Sequence, residues 1–572
     1  MNWYLLSCLL VPILVAIALY MTRQRWLASF ARLPKAQHRI AVDRSIPVPM
    51  HDGTILLADH YYPKTQGTFP AILIRSPWGR GWEKVPLSLA YLFVAGRFAE
   101  RGYHVVVHST RSRPDPADAY YPVHEGEDGL SVLAWIAQQP WCSGAVGWWG
   151  ASYLGYVQWA SAVHGPALLK ALVPISTTAC WSAFFYHDGA LALERLLNIV
   201  DTTSLARLSP VSIFGRLLSQ QRRVSAAAMH LPLVEAGAVL LGAENPGYGA
   251  VLAHPPTAES YWRPVDLGQQ LGQVTASVHL IAGWYDIFLR QQLADYAALV
   301  SAGRNPYLTI GPWRHTDSEL SGAGIREGLA WFDAHLAGHI DTLRSKPVRI
   351  FVRGANTWLD LGSWPPPSRV LNYYFGEFQQ LLDGETSPSG QDTFCYDPAD
   401  PTPALGGAQL SAGASVLDNA ALEARKDVLV YTSAPLAADL LVIGTPAVNL
   451  CVQSSAKSSD FFVRLSCVDS SGRSTNVCDG FARVDDCAQP TERVVVQLNL
   501  EPTAMRFRVG ERLRVLVAGG AHPRWNRNSG APDWDFRSTT LAVADQTIYY
   551  GPAQQSMIEL PVVHGEEQIH AT

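Results

Sequence analysis

Charge is scarce in this sequence, and neither sign predominates. Asp, Glu, Lys and Arg make up 16% of its 572 residues, and the formal net charge at pH 7 is −5. A protein that binds nucleic acid needs a basic surface to neutralise phosphates. The sequence offers no such surface, so we expect no nucleic-acid partner.

Cysteine is also sparse, and its spacing does not indicate a metal site. The eight cysteines form neither Cys-x-x-Cys pairs nor Cys/His clusters at ligand spacing. This argues against zinc or haem, and we expect neither a metal nor another cofactor. Reduced, mostly buried thiols are the favoured interpretation. The alternative is a disulfide among the four cysteines of the last third, which are Cys451, Cys467, Cys478 and Cys487.

The N-terminus has 19 residues without a charge, from Trp3 to Met21, and an arginine-rich flank follows over residues 23–39. About 20 apolar residues at roughly 1.5 Å each cross a bilayer core of about 30 Å. There is no basic n-region and no clear cleavage site, so an uncleaved membrane anchor at residues 1–22 is favoured over a signal peptide. Positive charge on its C-terminal flank predicts a catalytic body on the cytoplasmic side.

Strand and helix patterns alternate after a polar linker near residues 22–40. An Asp52-Gly53 turn predicts a hairpin. Short apolar runs at 71–75 and 104–108 are typical of strands covered on both faces, and a helical spacing over 88–100 separates them. This alternation predicts a mostly parallel, right-handed α/β sheet.

The alternation stops between about residues 178 and 267, where helical patterns predominate. An insertion between sheet strands is the simplest account, and such insertions commonly form caps over active sites. The α/β pattern resumes with strands at 277–284 and 307–311. We therefore expect an α/β domain at residues 40–368 with a helical cap at 178–267.

The period of the hydrophobic pattern changes to two beyond Trp364-Pro-Pro-Pro367, where consecutive prolines mark a boundary. Apolar runs are separated there by Asp, Gly, Pro and Ser clusters, without long helices between them. The pattern predicts an all-β sandwich over residues 369–572.

A nucleophile-elbow pattern occurs at Gly150-Ala-Ser152, after an apolar run and before a helical segment at 153–162. The serine of such an elbow stands on a sharp, strained turn that exposes its Oγ, and small neighbours let strand and helix approach each other. The pattern is imperfect here. Leu154 stands where the consensus has a second glycine, which comes one residue later at Gly155.

A nucleophilic serine needs a base, and the base needs an orienting carboxylate. In α/β-hydrolases these partners follow the serine in the order acid, then histidine, at the ends of later strands. Asp286 directly follows the strand at 277–284, and His315 directly follows the strand at 307–311. Taken alone, Asp286 could cap a helix and His315 could be structural. The order and strand-end placement of all three residues favour a catalytic triad with Ser152.

These stretches resemble the family of bacterial cocaine esterases, α-amino-acid ester hydrolases and X-Pro dipeptidyl-peptidases, most closely the cocaine-esterase type. The resemblance extends from about residue 45 to the end, on the following segments: Gly150-Ala-Ser-Tyr-Leu-Gly155, Ala282-Gly-Trp-Tyr-Asp286, Gly311-Pro-Trp-Arg-His315, Tyr396-Asp-Pro-Ala-Asp400 and Trp525-Asn-Arg-Asn-Ser-Gly530. It implies an α/β-hydrolase domain with an inserted helical cap, followed by a C-terminal jelly roll. It also implies that Ser152 is the nucleophile, Asp286 the orienting acid and His315 the base, and that the displaced glycine is tolerated.

The sequence departs from this family at two places. The family's oxyanion hole pairs the N–H after the serine, here that of Tyr153, with a tyrosine hydroxyl, and Trp78 stands at the tyrosine's place. An indole N–H is a donor and can fill the role, although its reach differs. A missing donor costs about 10²–10³ in kcat. The second departure is Ser109-Thr-Arg-Ser112, in place of Asp-x-Arg-Gly, and we expect Arg111 to be structural.

The sequence thus predicts a membrane-anchored serine hydrolase that cleaves a carboxylic ester or amide through an acyl-enzyme. Its substrate would be a small ester, an amide or a short peptide. An X-Pro dipeptidyl-peptidase is the alternative enzyme, although no acidic site for a free α-amine is evident. A catalytically silent binding protein is the alternative outside the enzymes. Several aromatic residues belong either to an acyl pocket or to ordinary core: Trp148, Trp149, Trp181, Phe184, Phe185 and Tyr186.

Overall fold

The computed structural model describes residues 32–80, 89–111, 122–205, 208, 210–384, 387–410, 415–484, 493–532 and 535–563. Within these residues the chain forms one sheet of ten strands, one of 13 strands and a two-stranded hairpin. The strands up to residue 361 are β1 Ile40–Pro49, β2 Ile55–Pro63, β3 Phe69–Ser76, β4 His104–Ser109, β5 Cys142–Ala151, β6 Leu169–Ile175, β7 Tyr186–His187, β8 Ala190–Leu191, β9 Ser277–Tyr285, β10 Tyr307–Arg314, β11 Val348–Val352 and β12 Thr357–Leu361.

The helices accompany mainly this first part of the chain. They are α1 Leu89–Ala99, α2 Glu125–Ala137, α3 Tyr153–Ala162, α4 Ser182–Phe185, α5 Leu193–Ser204, α6 Pro210–Ala228, α7 Ala236–Leu241, α8 Pro246–Ala253, α9 Glu259–Trp262, α10 Leu289–Ser301, α11 Ser318–Leu336 and α12 Ala420–Glu423. Short 3₁₀ turns occur at Leu233–Glu235, Gly268–Gln273, Ile340–Thr342 and Glu377–Gln379.

The ten-stranded sheet has the order β1-β2-β4-β3-β5-β6-β9-β10-β11-β12. Its strands run parallel from β4 to β11 in this order, and the pairs β1–β2, β2–β4 and β11–β12 are antiparallel. Successive side chains of a strand point to opposite faces, so Ala71 and Leu73 of β3 enter one core while Ile72 and Ile74 enter the other. Helices α1 and α11 cover the second face, and α2, α3 and α10 cover the first. The predicted α/β sheet is confirmed.

The insertion between β6 and β9 consists mainly of helices α4 to α9, as the sequence pattern predicts. Its apolar side chains are continuous with the core on the α2 and α3 face, with Leu196, Tyr248 and Trp262 all buried there. The small hairpin of β7 and β8 within it gave no signal in the sequence, because each of its strands has only two residues.

The 13-stranded sheet takes up most of the described residues after 368 and confirms the predicted all-β part. Its strands are β13 Arg369–Gly376, β14 Gln380–Asp383, β15 Gly390–Tyr396, β16 Val428–Ser433, β17 Leu440–Gly444, β18 Ala447–Ser454, β19 Ser459–Val468, β20 Ser474–Val484, β21 Val494–Asn499, β22 Thr503–Phe507, β23 Arg512–Ala518, β24 Ala544–Tyr550 and β25 Met557–Val562. Pairing is antiparallel except between β14 and β16. A separate apolar core fills it.

The all-β part is hydrogen-bonded to the inserted helices through Asn526. Its side-chain oxygen accepts the Leu191 N–H at 2.8 Å, and its own N–H donates to the Leu191 carbonyl at 2.9 Å. The Glu194 N–H donates to the Pro523 carbonyl at 2.8 Å. These bonds join the cap hairpin and α5 to the segment that follows β23.

The expected membrane anchor and the membrane localisation need correction. None of the helices in the described ranges is long and apolar enough to cross a bilayer. A span needs about 20 consecutive apolar residues, whereas the longest of these helices, α6 and α11, have 19 residues each and carry charged side chains. The stretch behind the prediction, residues 1–22, lies outside the described residues.

The described cysteines are free thiols: Cys142, Cys180, Cys395, Cys451, Cys467 and Cys478. Three of the four cysteines considered for a disulfide, Cys451, Cys467 and Cys478, are therefore buried thiols outside any disulfide. Burial raises the pKa of the Cys467 thiol. The fourth, Cys487, lies outside the described residues.

Candidate active site

Ser152 occupies the sharp turn between the end of β5 and the start of α3. Its backbone has φ 58° and ψ −125°, a conformation that non-glycine residues adopt only where the surroundings enforce it. Its N–H donates to the Ile175 carbonyl at 2.9 Å. Its carbonyl accepts the Gly155 N–H at 2.8 Å and the Thr177 hydroxyl at 2.7 Å. The end of β6 and the residues just after it therefore hold the turn in place.

The two glycines of the elbow are required by close packing. A Cβ on Gly150 would lie 2.5 Å from the Cβ of Leu154, and a Cβ on Gly155 would lie 2.5 Å from Cγ2 of Thr177. Contacts this short are not tolerated. The closest approach of the helix to the neighbouring strand end thus falls at residue 155, which explains why the second glycine comes one residue late.

Asp286 and His315 form a hydrogen-bonded pair, with 2.9 Å between the carboxylate Oδ2 and the imidazole Nδ1. The Asp286 side chain is fully buried, and its Oδ1 accepts the Phe288 N–H at 2.8 Å. An ionised carboxylate can only accept, so Nδ1 carries the proton and Nε2 is left as the basic nitrogen. The imidazole is 14% exposed, so it is not sealed off from a substrate.

A β-bulge brings this pair together. Gly283 of β9 pairs with Gly311 of β10, but Tyr285 pairs with Arg314, so β10 contains one extra residue. That residue moves His315, rather than Arg314, level with Asp286. The bulge is tightly packed. A Cβ on Gly283 would lie 2.2 Å from the Trp313 carbonyl oxygen.

The three predicted triad residues lie at one edge of the sheet. Ser152 follows β5, Asp286 follows β9 and His315 follows β10, and these strands are parallel members of one sheet. Because the carboxyl ends of parallel strands meet at one edge, the residues that follow them gather there. A serine, a histidine and a carboxylate at one sheet edge are the groups that nucleophilic acyl transfer requires.

Tyr153 and Trp78, the predicted oxyanion residues, follow neighbouring strands. Tyr153 is the first residue of α3, and its phenol donates to Glu125 Oε1 at 2.7 Å. Trp78 lies two residues beyond the end of β3, where its backbone N–H donates to the Ser76 hydroxyl at 3.1 Å. The Trp78 ring is half-buried against the core on the α1 and α11 face.

The predicted aromatic residues separate into two groups. Trp148 and Trp149 are buried members of β5, and the Trp149 indole donates to the Gly324 carbonyl at 2.9 Å, so both belong to ordinary core. Phe185 is fully buried, and the Tyr186 hydroxyl donates to the Val251 carbonyl within the cap. Trp181 and Phe184 are buried as well, and their rings lie between the elbow and the base.

An aromatic series runs from the elbow to the base. Ring centroids are 5.9 Å apart for Tyr153 and Trp181, and 5.6 Å apart for Trp181 and Phe184. They are 4.5 Å apart for Phe184 and Phe288, and 5.4 Å apart for Phe288 and His315. Phe288 was not predicted from the sequence, although its place two residues after Asp286 was a usable signal. Trp181, Phe184 and Phe288 are each at most 4% exposed, so the series is buried packing beside His315.

Arg195 of α5 also escaped the sequence analysis, because a single arginine in a helix carries no motif. Its guanidinium donates to the carbonyls of Phe184 and, at 3.1 Å, Ile287. It also lies over the Phe184 ring, 4.8 Å from the centroid. Burial lowers the pKa of Arg195 to about 10, which leaves it charged at neutral pH. Arg195 thus ties the cap to the loop that carries Asp286.

The Arg111 side chain forms a two-pronged ion pair with buried Asp128, with Nε and Nη2 each within 3.0 Å of the carboxylate, and also contacts Asp52. These contacts agree with the structural role expected of it. No group of three or more His, Cys, Asp or Glu side chains that could hold a metal ion occurs in the described ranges.

Two family models match the chain. The X-Pro dipeptidyl-peptidase (S15 family) model matches residues 52–317, and the X-Pro dipeptidyl-peptidase C-terminal non-catalytic domain model matches residues 342–559. The cocaine esterase of Rhodococcus sp. (strain MB1 Bresler) is 32% identical over 576 aligned residues, which cover 91% of this chain and 99% of that protein.

Solved structures share the fold at lower identity. An aminopeptidase from a marine sediment Thaumarchaeota archaeon superposes with a TM-score of 0.77 at 20% identity, covering 93% of this chain and 98% of the other. An α-amino acid ester hydrolase superposes with a TM-score of 0.74 at 20% identity, with the same coverage. The fold is thus an α/β-hydrolase domain with an inserted helical cap, followed by a C-terminal jelly roll. The chain belongs to the serine hydrolase family of the cocaine esterases and X-Pro dipeptidyl-peptidases, and it is an enzyme that hydrolyses esters or peptides.

Proposed function

We propose that this enzyme cleaves a carboxylic ester or simple amide through an acyl-enzyme formed on Ser152. His315 acts as the general base, and Asp286 orients it. The observation that carries the proposal is the 2.9 Å hydrogen bond between His315 and Asp286 at the sheet edge where Ser152 stands on its strained turn.

In the first half-reaction Ser152 Oγ attacks the acyl carbonyl carbon while its proton passes to Nε2 of His315. The tetrahedral intermediate collapses, and the leaving alcohol or amine takes that proton. In the second half-reaction a water molecule, deprotonated by His315, attacks the acyl carbon and releases the acid. Asp286 stays ionised throughout and stabilises the imidazolium that forms in each half.

The oxyanion of the intermediate is held by the backbone N–H of Tyr153, with the indole N–H of Trp78 as second donor. Tyr153 is the first residue of α3, so its N–H points towards the N-terminal end of the helix, where the helix dipole favours negative charge. Trp78 follows β3, the strand next to β5 in the sheet. Two convergent donors are the usual requirement for acyl transfer.

An ester is the favoured substrate class, because the Rhodococcus relative that aligns with 91% of this chain is named a cocaine esterase. The aromatic series beside the base belongs to the core, since Trp181, Phe184 and Phe288 are each at most 4% exposed. X-Pro dipeptidyl-peptidase activity is the second candidate, because both matching family models carry that name.

We also assign the domains as residues 40–368 for the α/β-hydrolase domain, 178–267 for the cap inserted in it, and 369–572 for the jelly roll. The end of β12 at Leu361 and the start of β13 at Arg369 support the boundary between the two main domains.

Active-site labelling tests the proposal. The protein and a Ser152→Ala variant are incubated with a fluorophosphonate at neutral pH, and intact mass is measured. We expect one adduct on the unmodified sequence and none on the variant. Absence of an adduct on the unmodified sequence would contradict the proposal. Turnover of short-chain aryl esters against Xaa-Pro anilides then separates the two candidates, and we expect the esters to be the faster substrates.

A further inference from the structure

The parallel ladder between β3 and β5 ends before the active-site edge. Its last pair is Leu73 with Trp148. Beyond it, β3 continues to pair with β4 as far as Ser76, and β5 continues to pair with β6 as far as Ala151. A gap therefore opens between the two strands that lead to Trp78 and to Tyr153. No backbone ladder sets the distance between the two proposed oxyanion donors.

A chain of three side chains bridges this gap. Arg75 of β3 lies with Nη1 2.9 Å from Oε2 of Glu125, and the same Nη1 donates to the Glu125 carbonyl at 2.8 Å. The other carboxylate oxygen of Glu125 accepts the Tyr153 phenol at 2.7 Å. Glu125 is the first residue of α2. The N-terminus of this helix thus reaches both strand ends at once.

The bridge is buried and therefore rigid. Arg75 is 0% exposed and Glu125 is 1% exposed. A charged acceptor makes a hydrogen bond about twice as strong as a neutral one, and low local dielectric strengthens it further. The carboxylate also lies at a helix N-terminus, where negative charge is favoured. The phenol of Tyr153 is consequently held at a fixed distance from β3.

We propose that Glu125 is a positioning residue for the reaction, acting through Tyr153. By holding the phenol, Glu125 fixes the first residue of α3 and thereby aims the Tyr153 backbone N–H across the gap at the site shared with Trp78. The inference rests on the proposed function, in which that N–H binds the oxyanion. Donor placement matters because an error of about 1 Å can cost on the order of 10²-fold in rate.

Removal of a single hydroxyl tests the bridge. Tyr153→Phe deletes the tether and keeps the backbone N–H. Tyr156→Phe is the matched control, because Tyr156 lies on the same helix and its buried hydroxyl donates to the Val265 carbonyl instead. With an aryl ester, we expect Tyr153→Phe to lower kcat by about 10-fold to 10²-fold with KM within about twofold. Tyr156→Phe should stay within about twofold in both constants.

A second measurement separates positioning from general loosening of the fold. A boronic acid that mimics the tetrahedral intermediate should bind Tyr153→Phe more weakly by about the factor lost in kcat, because both report on the oxyanion donors. Loosening of the fold would instead raise KM and lower the melting temperature. Glu125→Gln should reproduce the loss in kcat, and the Glu125→Gln/Tyr153→Phe double variant should be no worse than the more impaired single variant.

Equal kcat for Tyr153→Phe and Tyr156→Phe would overturn the positioning role, and so would additive losses in the double variant. Fluorophosphonate labelling of the unmodified protein keeps the two hypotheses apart. Normal labelling that depends on Ser152, together with an unaffected Tyr153→Phe variant, overturns the positioning role alone. Absence of labelling overturns the proposed function itself.

Discussion

The two halves of the proposed site are held by different means. Asp286 and His315 follow β9 and β10, whose ladder continues to Tyr285 and Arg314, the residues just before them. Tyr153 and Trp78 follow β5 and β3, whose ladder ends at Leu73 and Trp148. Backbone pairing thus places Asp286 beside His315, whereas side-chain contacts bridge the strands that lead to Tyr153 and Trp78. We expect backbone changes to damage the first half and single hydroxyl deletions to damage the second.

The largest effect is expected in the half held by backbone pairing. Asp286→Asn keeps the shape of the side chain but offers an amide in place of the carboxylate, so the imidazole is no longer held with its proton on Nδ1. We expect kcat to fall by about 10⁴-fold, measured as steady-state hydrolysis of an aryl ester. Asp360→Asn is the control, because Asp360 pairs with Arg349 on the edge strands and is remote from the triad. Similar rates for the two variants would refute the role of Asp286.

Trp78 tests the half held by side chains. If its indole N–H binds the oxyanion, Trp78→Phe should lower kcat by about 10²–10³-fold with little change in KM. Trp78→Tyr restores the family's hydroxyl donor and should retain more activity than Trp78→Phe. Unchanged turnover in Trp78→Phe would mean that Trp78 is no oxyanion donor, and that Tyr153 has another partner.

The bulge on β10 provides a backbone test with a smaller effect. A methyl group on Gly283 would lie 2.2 Å from the Trp313 carbonyl oxygen and displace the bulge. Gly283→Ala should therefore shift His315 from Asp286 and lower kcat by about 10²-fold. Gly362→Ala is the matched control, because a methyl group there meets nothing within 4 Å. A Gly283→Ala variant as active as this control would show that the bulge does not determine the position of His315 relative to Asp286.

The smallest effect on catalysis is expected at the opposite edge of the sheet. His60 and His104 are hydrogen-bonded to each other at 2.9 Å and stack on Trp141. Burial lowers the pKa of His60 to about 3 and that of His104 to about 4. The pKa of an unfolded histidine is about 6.5. As pH falls below that value the unfolded state takes up protons first, so stability is lost progressively down to about pH 3.

Thermal unfolding between pH 7 and 4 checks this linkage. A His60→Phe/His104→Phe variant keeps the stacked rings and removes both titrating groups, so its melting temperature should fall less steeply with acid. Its kcat at neutral pH should match that of the unmodified protein. If the melting temperature of the variant fell as steeply with decreasing pH as that of the unmodified protein, these histidines would not account for the pH dependence of stability.

The sequence was sufficient for the features that depend on local pattern. Alternating strand and helix periods predicted the parallel sheet, and a change of period predicted the all-β part. Chain order and strand-end placement singled out Ser152, Asp286 and His315, which the structure places at one sheet edge. The displaced Gly155 was visible as an irregularity, but its reason, the contact with Thr177, required the packing of β6 against the elbow.

The remaining features depend on register and on contacts between distant segments. The extra residue in β10 is invisible without knowing which residue pairs with Gly283. The bridge from Arg75 through Glu125 to Tyr153 joins segments 50 and 28 residues apart, and neither Arg75 nor Glu125 belongs to a motif. The membrane expectation rested on one apolar run, its positively charged flank and the lack of signal-peptide features. The helices among the described residues gave it no support.

Trapping of the acyl-enzyme tests the central claim most directly. The protein is mixed with p-nitrophenyl acetate, quenched in acid within the first turnover, digested and analysed by mass spectrometry. We predict one acetyl group on the peptide that contains Ser152, appearing together with a burst of p-nitrophenol, and none in the Ser152→Ala variant. An acetyl group on another residue, or hydrolysis that persists in Ser152→Ala, would contradict the assignment of Ser152 as the nucleophile.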